Sequence, residues 1–600
     1  MNYKIAFFSS DWLLEIVQDK QAGLKEFLND YPNVSVDLFE NYGNYNLINP
    51  TDSLLELYKL PNIEDYDAII FQTNSTFYRD YRQIMIDKAD SLNIPIISIN
   101  DPIDKCIYVG TDNKQAIYDL VRTIRKEKNC KKITFIAGPN TSREANLRKE
   151  GFLKATEGLE DISIIEGSWN VVDGKKAGLQ LLDDLPELVV CSNDNLAYGV
   201  IEVLKEHNIN VGKDVLVTGF DNLTLASAVT PRITTINRDY KTITYNALEI
   251  SLIAKDNPKL TSFYSPYQII RGESTNDHIE KQDDLKLKYN YLTQTTYSNR
   301  FFESIERLEI MFSNINNFYD LFEIFENEFI NYGYKNVYLI MNSDYVDDLN
   351  KDVRIFSDKM YLMGITNNSK PDDKHIYDIF DKNQVLPAKY KSRYMIYTSL
   401  SNNGAGIGYI AFDGHSDLIS INFTAIILKQ LGLTIESVRK KQVLSNLNQQ
   451  LEELYIKDSL TNLYNRFGME RLGKTKYKQL INRYHQASIY FIDMDKMKSI
   501  NDIYGHEMGD QAIKETANII HKVISNDDIG IRYGGDEFII ITNQEDLSEK
   551  IQDELIIFNK RHIYPFKLSL SVGKYTSNED FYQAVKKADT TMYNIKTLSR

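Results

Sequence analysis

Two short stretches near the carboxyl end gather residue types that handle phosphate. Residues 532 to 538 read Arg-Tyr-Gly-Gly-Asp-Glu-Phe, and residues 491 to 510 read Phe-Ile-Asp-Met-Asp-Lys-Met-Lys-Ser-Ile-Asn-Asp-Ile-Tyr-Gly-His-Glu-Met-Gly-Asp. The apolar, β-prone run Ser488 to Ile492 ends at Asp493, and Gly534-Gly535 sits between two further β-prone runs, as a hairpin turn would. Hard divalent cations such as Mg²⁺ prefer carboxylate oxygen. Asp493 at the end of one strand and Asp536 at the tip of a neighbouring hairpin are therefore placed to hold a metal between them, as Lewis acid and as clamp on phosphate. The two glycines suit a close approach of backbone to phosphate, because a residue without Cβ can take φ > 0. Each feature alone is ordinary turn chemistry; their conjunction in register is not.

These motifs resemble the GGDEF family of diguanylate cyclases over about Asp458 to Arg600, including the lead-in Asp458-Ser459-Leu460-Thr461-Asn462-Leu463-Tyr464-Asn465-Arg466. The resemblance implies that two GTP molecules are joined into cyclic di-GMP, each 3′-hydroxyl attacking the α-phosphorus of the other nucleotide with pyrophosphate leaving. Such chemistry rests on positioning, metal ions and charge neutralisation more than on covalent work by the protein. The family's roles carry over as follows. Asp493, the carbonyl of Met494 and Asp536 face the metal, Mg²⁺ or Mn²⁺; Asp536 accepts the proton; and Glu537 is a further carboxylate of the catalytic set. Lys498 faces phosphate or a neighbouring carboxylate, and His506 lines the nucleotide site. Asp510 with its partner Asn501 reads guanine, since a carboxylate that accepts from the ring N–H and the exocyclic amine rejects adenine. Lys596 and Arg600 bind phosphate.

Phe581, Val585, Ala588, Met592 and Ile595 repeat at 4, 3, 4 and 3, one face of an amphipathic helix, and Lys596 and Arg600 share a side if that helix continues. Two departures from the family pattern stand out. Ser599 replaces the usual glycine beside Arg600. The family's inhibitory product site, Arg-x-x-Asp, reads here Ser525-Asn526-Asp527-Asp528, and a serine cannot make arginine's bidentate charged contact to phosphate. Feedback inhibition through this site is expected to be weak or absent.

The elements that must position these residues belong to a chain of 600 residues, enough for roughly three to five domains. The net charge of −15 and the lack of a long basic run argue against duplex nucleic acid or an anionic membrane as partner. Three cysteines, Cys106, Cys130 and Cys191, lack metal-ligand spacing and fit buried thiols in a reducing compartment. No stretch approaches about eighteen consecutive apolar residues. Tyr3 to Phe8 already reads as a buried strand, which leaves no signal peptide. The expectation is a cytoplasmic protein.

Across residues 1–275, short apolar runs alternate with helical patterns: Lys4 to Phe8, Val34 to Phe39, Ala68 to Phe71, Ile94 to Ile99, Lys132 to Ala137, Leu188 to Cys191 and Val215 to Gly219. That alternation predicts parallel sheets covered on both faces, in two lobes, with a ligand cleft beyond the carboxyl ends of the strands. Val109-Gly110-Thr111-Asp112-Asn113, the run from Ile133 to Phe152, Ser192 to Ala197, and Val217 to Asn222 with Pro231 to Ile236 resemble the effector domain of lactose-repressor-type regulators, the periplasmic sugar-binding fold. The resemblance implies ligand contacts at Ser9, Ser10, Asp112, Arg148, Asn193 and Asp221, suited to a polyhydroxylated, sugar-like molecule, with Trp12 or Phe220 stacking on it. The headpiece that would bind DNA is missing, so DNA binding is disfavoured. Several of these residues can equally cap helices and fix turns.

The middle, residues 276–417, combines a helix-prone charged stretch with strand-like runs Asn336 to Met341, Arg393 to Leu400 and Ile407 to Phe412, an order resembling a GAF-type α+β sensory domain, with a structural or dimerisation module as the alternative. Residues 418–457 read as a helical linker whose Leu444, Leu447, Leu451 and Leu454 form a short coiled-coil seam, and residues 458–600 as the catalytic domain. The predicted fold class is multidomain α/β and α+β: a two-lobed doubly wound parallel-sheet sensor, an α+β middle domain, a helical linker and an α/β nucleotidyl-cyclase-like domain. A two-fold product made from one nucleotide per domain calls for a homodimer. The predicted function is a diguanylate cyclase regulated by an unknown small molecule; the alternative is a non-catalytic GTP-binding or small-molecule-binding module acting through protein contacts.

Overall fold

The computed structural model describes residues 3–10, 14–41, 52–72, 79–277, 336–365, 376–402, 404–414 and 421–598, with 306–307, 309–313, 315, 320–322 and 324–325. It divides into two compact units, Met1–Gln442 and Val443–Arg600. Trp12, the charged stretch before residue 306 and Arg600 lie outside the described residues.

The first unit opens with two lobes of parallel sheet. In one, β1 (Tyr3–Ser9), β2 (Val34–Glu40), β3 (Ala68–Gln72), β4 (Ile96–Ile99) and β5 (Ile107–Gly110) pair in the order β5-β4-β3-β1-β2. In the other, β6 (Ile133–Ile136), β7 (Ile162–Ile165), β8 (Leu188–Cys191) and β9 (Leu216–Thr218) pair in the order β7-β6-β8-β9. Near-continuous apolar runs such as Ala68-Ile69-Ile70-Phe71 are buried on both faces, as helices on either side of a parallel sheet require. Side-chain caps start the helices of the second lobe: Asp112, Ser142, Asn170 and Asn193 each accept from a backbone N–H of the first turn. The chain crosses between lobes after β5, after β10 (Thr235–Asn237), and between β11 (Ser262–Tyr264) and β12 (Gln268–Ile270).

The middle segment adds β13 (Val337–Asn342), β14 (Lys359–Ile365), β15 (Asp378–Asp381), β16 (Tyr394–Asn402) and β17 (Ala405–Asp413), antiparallel in the order β16-β17-β13-β14-β15. The sequence suggests a boundary near residue 275, yet the sheet runs across it. β16 pairs in parallel with β2, so the first lobe and the middle segment share one sheet of 11 strands. The helix Ile421–Ile456 follows; Ile427, Leu431, Ile435 and Val438 are buried in the core of the first unit, whereas Leu444, Leu447 and Leu451 are 59%, 49% and 62% exposed. The side chain of Leu454 lies outside the described residues.

The second unit is built on β18 (Ala487–Met494), β19 (Ile529–Gly534), β20 (Glu537–Thr542) and β21 (Leu570–Ser577), antiparallel in the order β19-β20-β18-β21. Successive residues of β18 face opposite cores, with Tyr490 and Ile492 in one and Ile489 and Phe491 in the other. The last helix, Phe581–Leu598, buries Phe581, Ala584, Val585, Ala588 and Met592, but Ile595 is exposed, so the predicted stripe stops one step early. Among the described residues no helix is long and apolar enough to cross a membrane, and Cys106, Cys130 and Cys191 are free thiols.

Candidate active site

The acidic residues meet where β18 ends beside the turn between β19 and β20. Asp493 is the register partner of Glu537 on the neighbouring strand, and the Met494 N–H donates to the Asp536 carbonyl at 3.1 Å, fixing the turn against the strand end. The Lys596 ammonium donates to Asp493 Oδ1. Burial pushes the Asp493 carboxyl up, Asp536 and Asp495 add to the rise, and Lys596 pulls the other way. Glu537 is likewise raised, by burial first and then by Asp493 and Asp536. Burial is thus the main cause of both rises, and at Asp493 Lys596 pulls down more strongly than either neighbouring acid pushes up.

Lys596 reaches this point because its helix lies tight on β21. A Cβ on Gly573 would stand 2.2 Å from the Met592 nitrogen and 2.4 Å from the Ala588 carbonyl oxygen, so only glycine admits the helix at this distance. The glycines of the turn act differently from the expectation. Neither Gly534 nor Gly535 has a positive φ. What they leave is space: nothing lies within 4 Å of a Cβ on Gly535, and one on Gly534 would meet only Glu537 Oε2 at 3.4 Å. The register shift in the β19–β20 ladder before Gly534 reshapes the hairpin without a left-handed residue.

A residue that motif reasoning passed over holds this turn. Arg532 pairs with both oxygens of Asp458 at 3.0 and 3.1 Å, and donates to the Gly535 carbonyl from Nε at 3.0 Å and Nη2 at 2.8 Å. Asp458 also accepts from the Thr461 N–H and hydroxyl at 3.0 and 2.7 Å. The lead-in segment just after the helix Ile421–Ile456 is thus tied to the turn that carries Asp536. The arginine in the first quoted motif was the available signal.

Lys498 and Asn501 lie on the helix Met497–Tyr504, and His506 and Asp510 on the helix His506–Val523. Gly505, at φ 85°, makes the turn between them, and a Cβ on Gly509 would be 1.9 Å from Asn501 Oδ1, which sets Asn501 against the backbone beside Asp510. Lys498, His506 and Asp510 are exposed. At the position of the family's inhibitory site, Asp528 Oδ2 accepts from the Ser525 N–H and hydroxyl, both at 2.8 Å, and from Gln544 Nε2 at 2.5 Å, so Ser525 folds inward on its own loop. Among the described residues no group of three His, Cys, Asp or Glu side chains converges as a metal cluster.

In the first unit the cleft-side residues separate into two groups. Arg148, Asn193 and Asp221 come together at the carboxyl ends of the second lobe's strands. The buried Arg148 guanidinium donates to Asn113 Oδ1 at 2.8 Å, the Ser192 carbonyl at 2.5 Å and Asp221 at 3.4 Å, with the Phe220 ring 3.7 Å and the Trp169 ring 5.3 Å from it. Asn193 caps its helix and donates to the Trp169 carbonyl at 3.0 Å. Trp169, Arg238 and Glu144 were not foreseen. Arg238 bridges Asp221 at 3.1 Å and Glu144 at 2.6 Å. Burial alone would push Glu144 up, but Arg238 and Arg148 outweigh it and hold its carboxyl below the usual range. Trp169 follows β7 as Asn193 follows β8, and that shared position was its signal. Ser9 and Asp112 are otherwise employed: Ser9 Oγ accepts from Lys20 Nζ at 2.5 Å, and Asp112 caps a helix through the Gln115 N–H at 2.9 Å. Ser10 donates its N–H to the Gln72 carbonyl at 3.4 Å.

Comparison with known proteins places two families on this chain. Residues 455–600 match the diguanylate cyclase GGDEF domain, and residues 125–275 match a periplasmic binding protein-like domain. A probable diguanylate cyclase, DgcJ of Escherichia coli, is 35% identical over 156 residues, 24% of this chain and 30% of that protein. Diguanylate cyclase A of Treponema denticola is 30% identical over 183 residues, 28% of this chain and 48% of that protein. The chain thus spans less than half the length of these relatives. A structure of a dimeric lac repressor matches 45% of this chain and 98% of its own at 19% identity, with a TM-score of 0.37. The carboxyl-terminal unit carries a GGDEF domain, and the first unit carries a periplasmic-binding-protein-like domain.

Proposed function

We propose that the second unit condenses two GTP molecules into cyclic di-GMP and two pyrophosphates, under control of a small molecule bound between the lobes of residues 1–275. The observation that carries this reading is the meeting of Asp493, Glu537 and the Asp536 turn with Lys596, beside open space over Gly535. In each half-reaction the 3′-oxygen of one nucleotide bonds to the α-phosphorus of the other, its proton passes to Asp536, and the bond to pyrophosphate breaks. Lys596 is then available to the phosphates, with Arg600 beyond it, and Lys498 and His506 border the nucleotide. Asn501 and Asp510 read the guanine edge.

The acid set offers oxygen only, and the raised Asp493 and Glu537 carboxyls are eased by positive charge, which suits a hard divalent cation. Asp493, Asp536 and the Met494 carbonyl would hold Mg²⁺ or Mn²⁺, which supplies charge neutralisation on the triphosphate. One GTP per unit requires two copies, and the exposed Leu444, Leu447 and Leu451 supply an apolar stripe for a homodimer. In the first unit, Arg148, Asn193 and Asp221 with Trp169 and Phe220 combine charge, amide and aromatic faces, as a sugar-like ligand needs. A GTP substrate fits a cytoplasmic enzyme. With Ser525 turned onto Asp528, added cyclic di-GMP leaves the initial rate unchanged; a rate that falls would show a working product site.

The test is pyrophosphate release by the full chain from GTP and from ATP, with Mg²⁺ and with a chelator, over a dilution series. Release from GTP alone, abolished by the chelator and falling in specific activity on dilution, supports the reading. Binding of GTP without release would leave a GTP-responsive switch instead.

A further inference from the structure

The sheet edge of the first lobe is taken. β2 pairs on one side with β1 and on the other with β16, in the register Val36↔Tyr394, Asp37↔Met395, Leu38↔Ile396 and Phe39↔Tyr397. The Val36 N–H donates to the Arg393 carbonyl at 2.7 Å, and Arg393 Nη1 reaches the Leu28 and Pro32 carbonyls at 3.3 and 2.7 Å. On one face a single core joins Val36 and Leu38 with Ile396, Phe412 and Leu431; on the other, a second joins Phe39 and Leu57 with Tyr397 and Tyr409. Phe39 stacks on Tyr397 with centroids 5.1 Å apart, and the buried Asp37 takes hydroxyls from Tyr66 at 2.8 Å and Tyr397 at 3.4 Å. Glu56 accepts the Phe356 N–H at 3.0 Å. Among the described residues the middle strands pack only in cores shared with the lobe, whereas a domain able to fold alone has its own.

We propose that the first lobe and the middle segment form one cooperative body, joined through β2 and β16, and that the middle segment is the sensor's mount for the helix Ile421–Ile456 rather than a second sensor. The helix is fixed to this body by Ile427, Leu431 and Ile435, by Glu436 accepting from the Tyr345 hydroxyl at 2.5 Å, and by Arg439 donating to the Asp348 and Lys351 carbonyls at 2.8 and 2.7 Å. The same β2 ends in Glu40, whose carboxylate pairs with the Lys20 ammonium; both side chains are wholly buried. One strand therefore carries both this buried pair and the seam with β16. The second lobe is held to this body by three crossovers and by contacts such as the Thr224 N–H on Glu15 Oε2 at 2.8 Å.

Hydrogen exchange of the full chain, read peptide by peptide, tests this without a ligand. Leu38→Ala empties a core position in β2 and should speed exchange by about a hundredfold in β1 and β3 and equally in β13, β16 and β17, leaving β6 and β8 as in the wild type. Should that variant fail to fold, Ile396→Val makes a smaller loss from the other side, with about fivefold faster exchange in β1 and β3 as well as in β13 and β17. Faster exchange that stops at the seam, with either variant, overturns the proposal.

Discussion

Gly573→Ala isolates the step that brings the lysine to the acids. The added Cβ would lie 2.2 Å from the Met592 nitrogen and 2.4 Å from the Ala588 oxygen, where ordinary contact begins at 3.4 Å. Both obstacles are backbone and cannot rotate away, so the helix must back off by the difference, 3.4 − 2.2 = 1.2 Å. Overpacking of this kind costs about 1–3 kcal/mol, a fall in melting temperature of about 2–4 °C for each kcal/mol in a unit of this size. Lys596 sits one turn beyond Met592, and a misplacement of about 1 Å can cost about a hundredfold in rate. The assay pairs calorimetry of the full chain with the initial rate of pyrophosphate release from GTP. Gly535→Ala is the stability control, since nothing lies within 4 Å of its Cβ; its melting should stay within about 0.5 kcal/mol of wild type. Gly573→Ala with wild-type melting and wild-type rate would refute the packing argument. Lost stability with an intact rate would detach Lys596 from catalysis.

Arg532→Lys removes the forked contact to Asp458 and Gly535 while keeping the charge, so turnover should drop about tenfold with little change in KM for GTP, read from steady-state kinetics; a change in KM alone would contradict a positioning role. Asp510→Ala should narrow the preference for GTP over ATP, measured as the ratio of kcat/KM values, and an unchanged ratio would remove Asp510 from guanine reading. Glu537 has a raised folded pKa, so its contribution to stability is present below the unfolded value and lost as pH rises through the folded one. Glu537→Gln should therefore raise the melting point in chelator at about pH 7.5, with no difference at about pH 4. A variant less stable than wild type at the higher pH would reverse the sign of that argument.

The candidate active site was legible because its parts announce themselves locally: an acid closing an apolar strand, a Gly-Gly turn, a lysine on a periodic helix. Arg532 was quoted in the motif yet its role was not, since Asp458 lies 74 residues away and nothing local marks the pair. The fully buried strands of the lobes were readable from unbroken apolar runs such as β3, whereas β7, half-exposed and interrupted by Ser163, was not. Asp112 caps a helix, the alternative that the sequence also left open, because a capping aspartate and a ligand-binding aspartate look alike in sequence. The union of β2 with β16 was out of reach, since Asp37 and Tyr397 stand 360 residues apart and neither strand's pattern names its partner. Leu444, Leu447 and Leu451 lie on a helix, as their spacing predicts, and are exposed along it.

The most direct measurement is chromatography of the products formed from GTP and Mg²⁺ by the full chain, beside the Asp536→Ala variant. Cyclic di-GMP from the wild type and none from the variant is the predicted result. Equal product from both would contradict the assignment of the site.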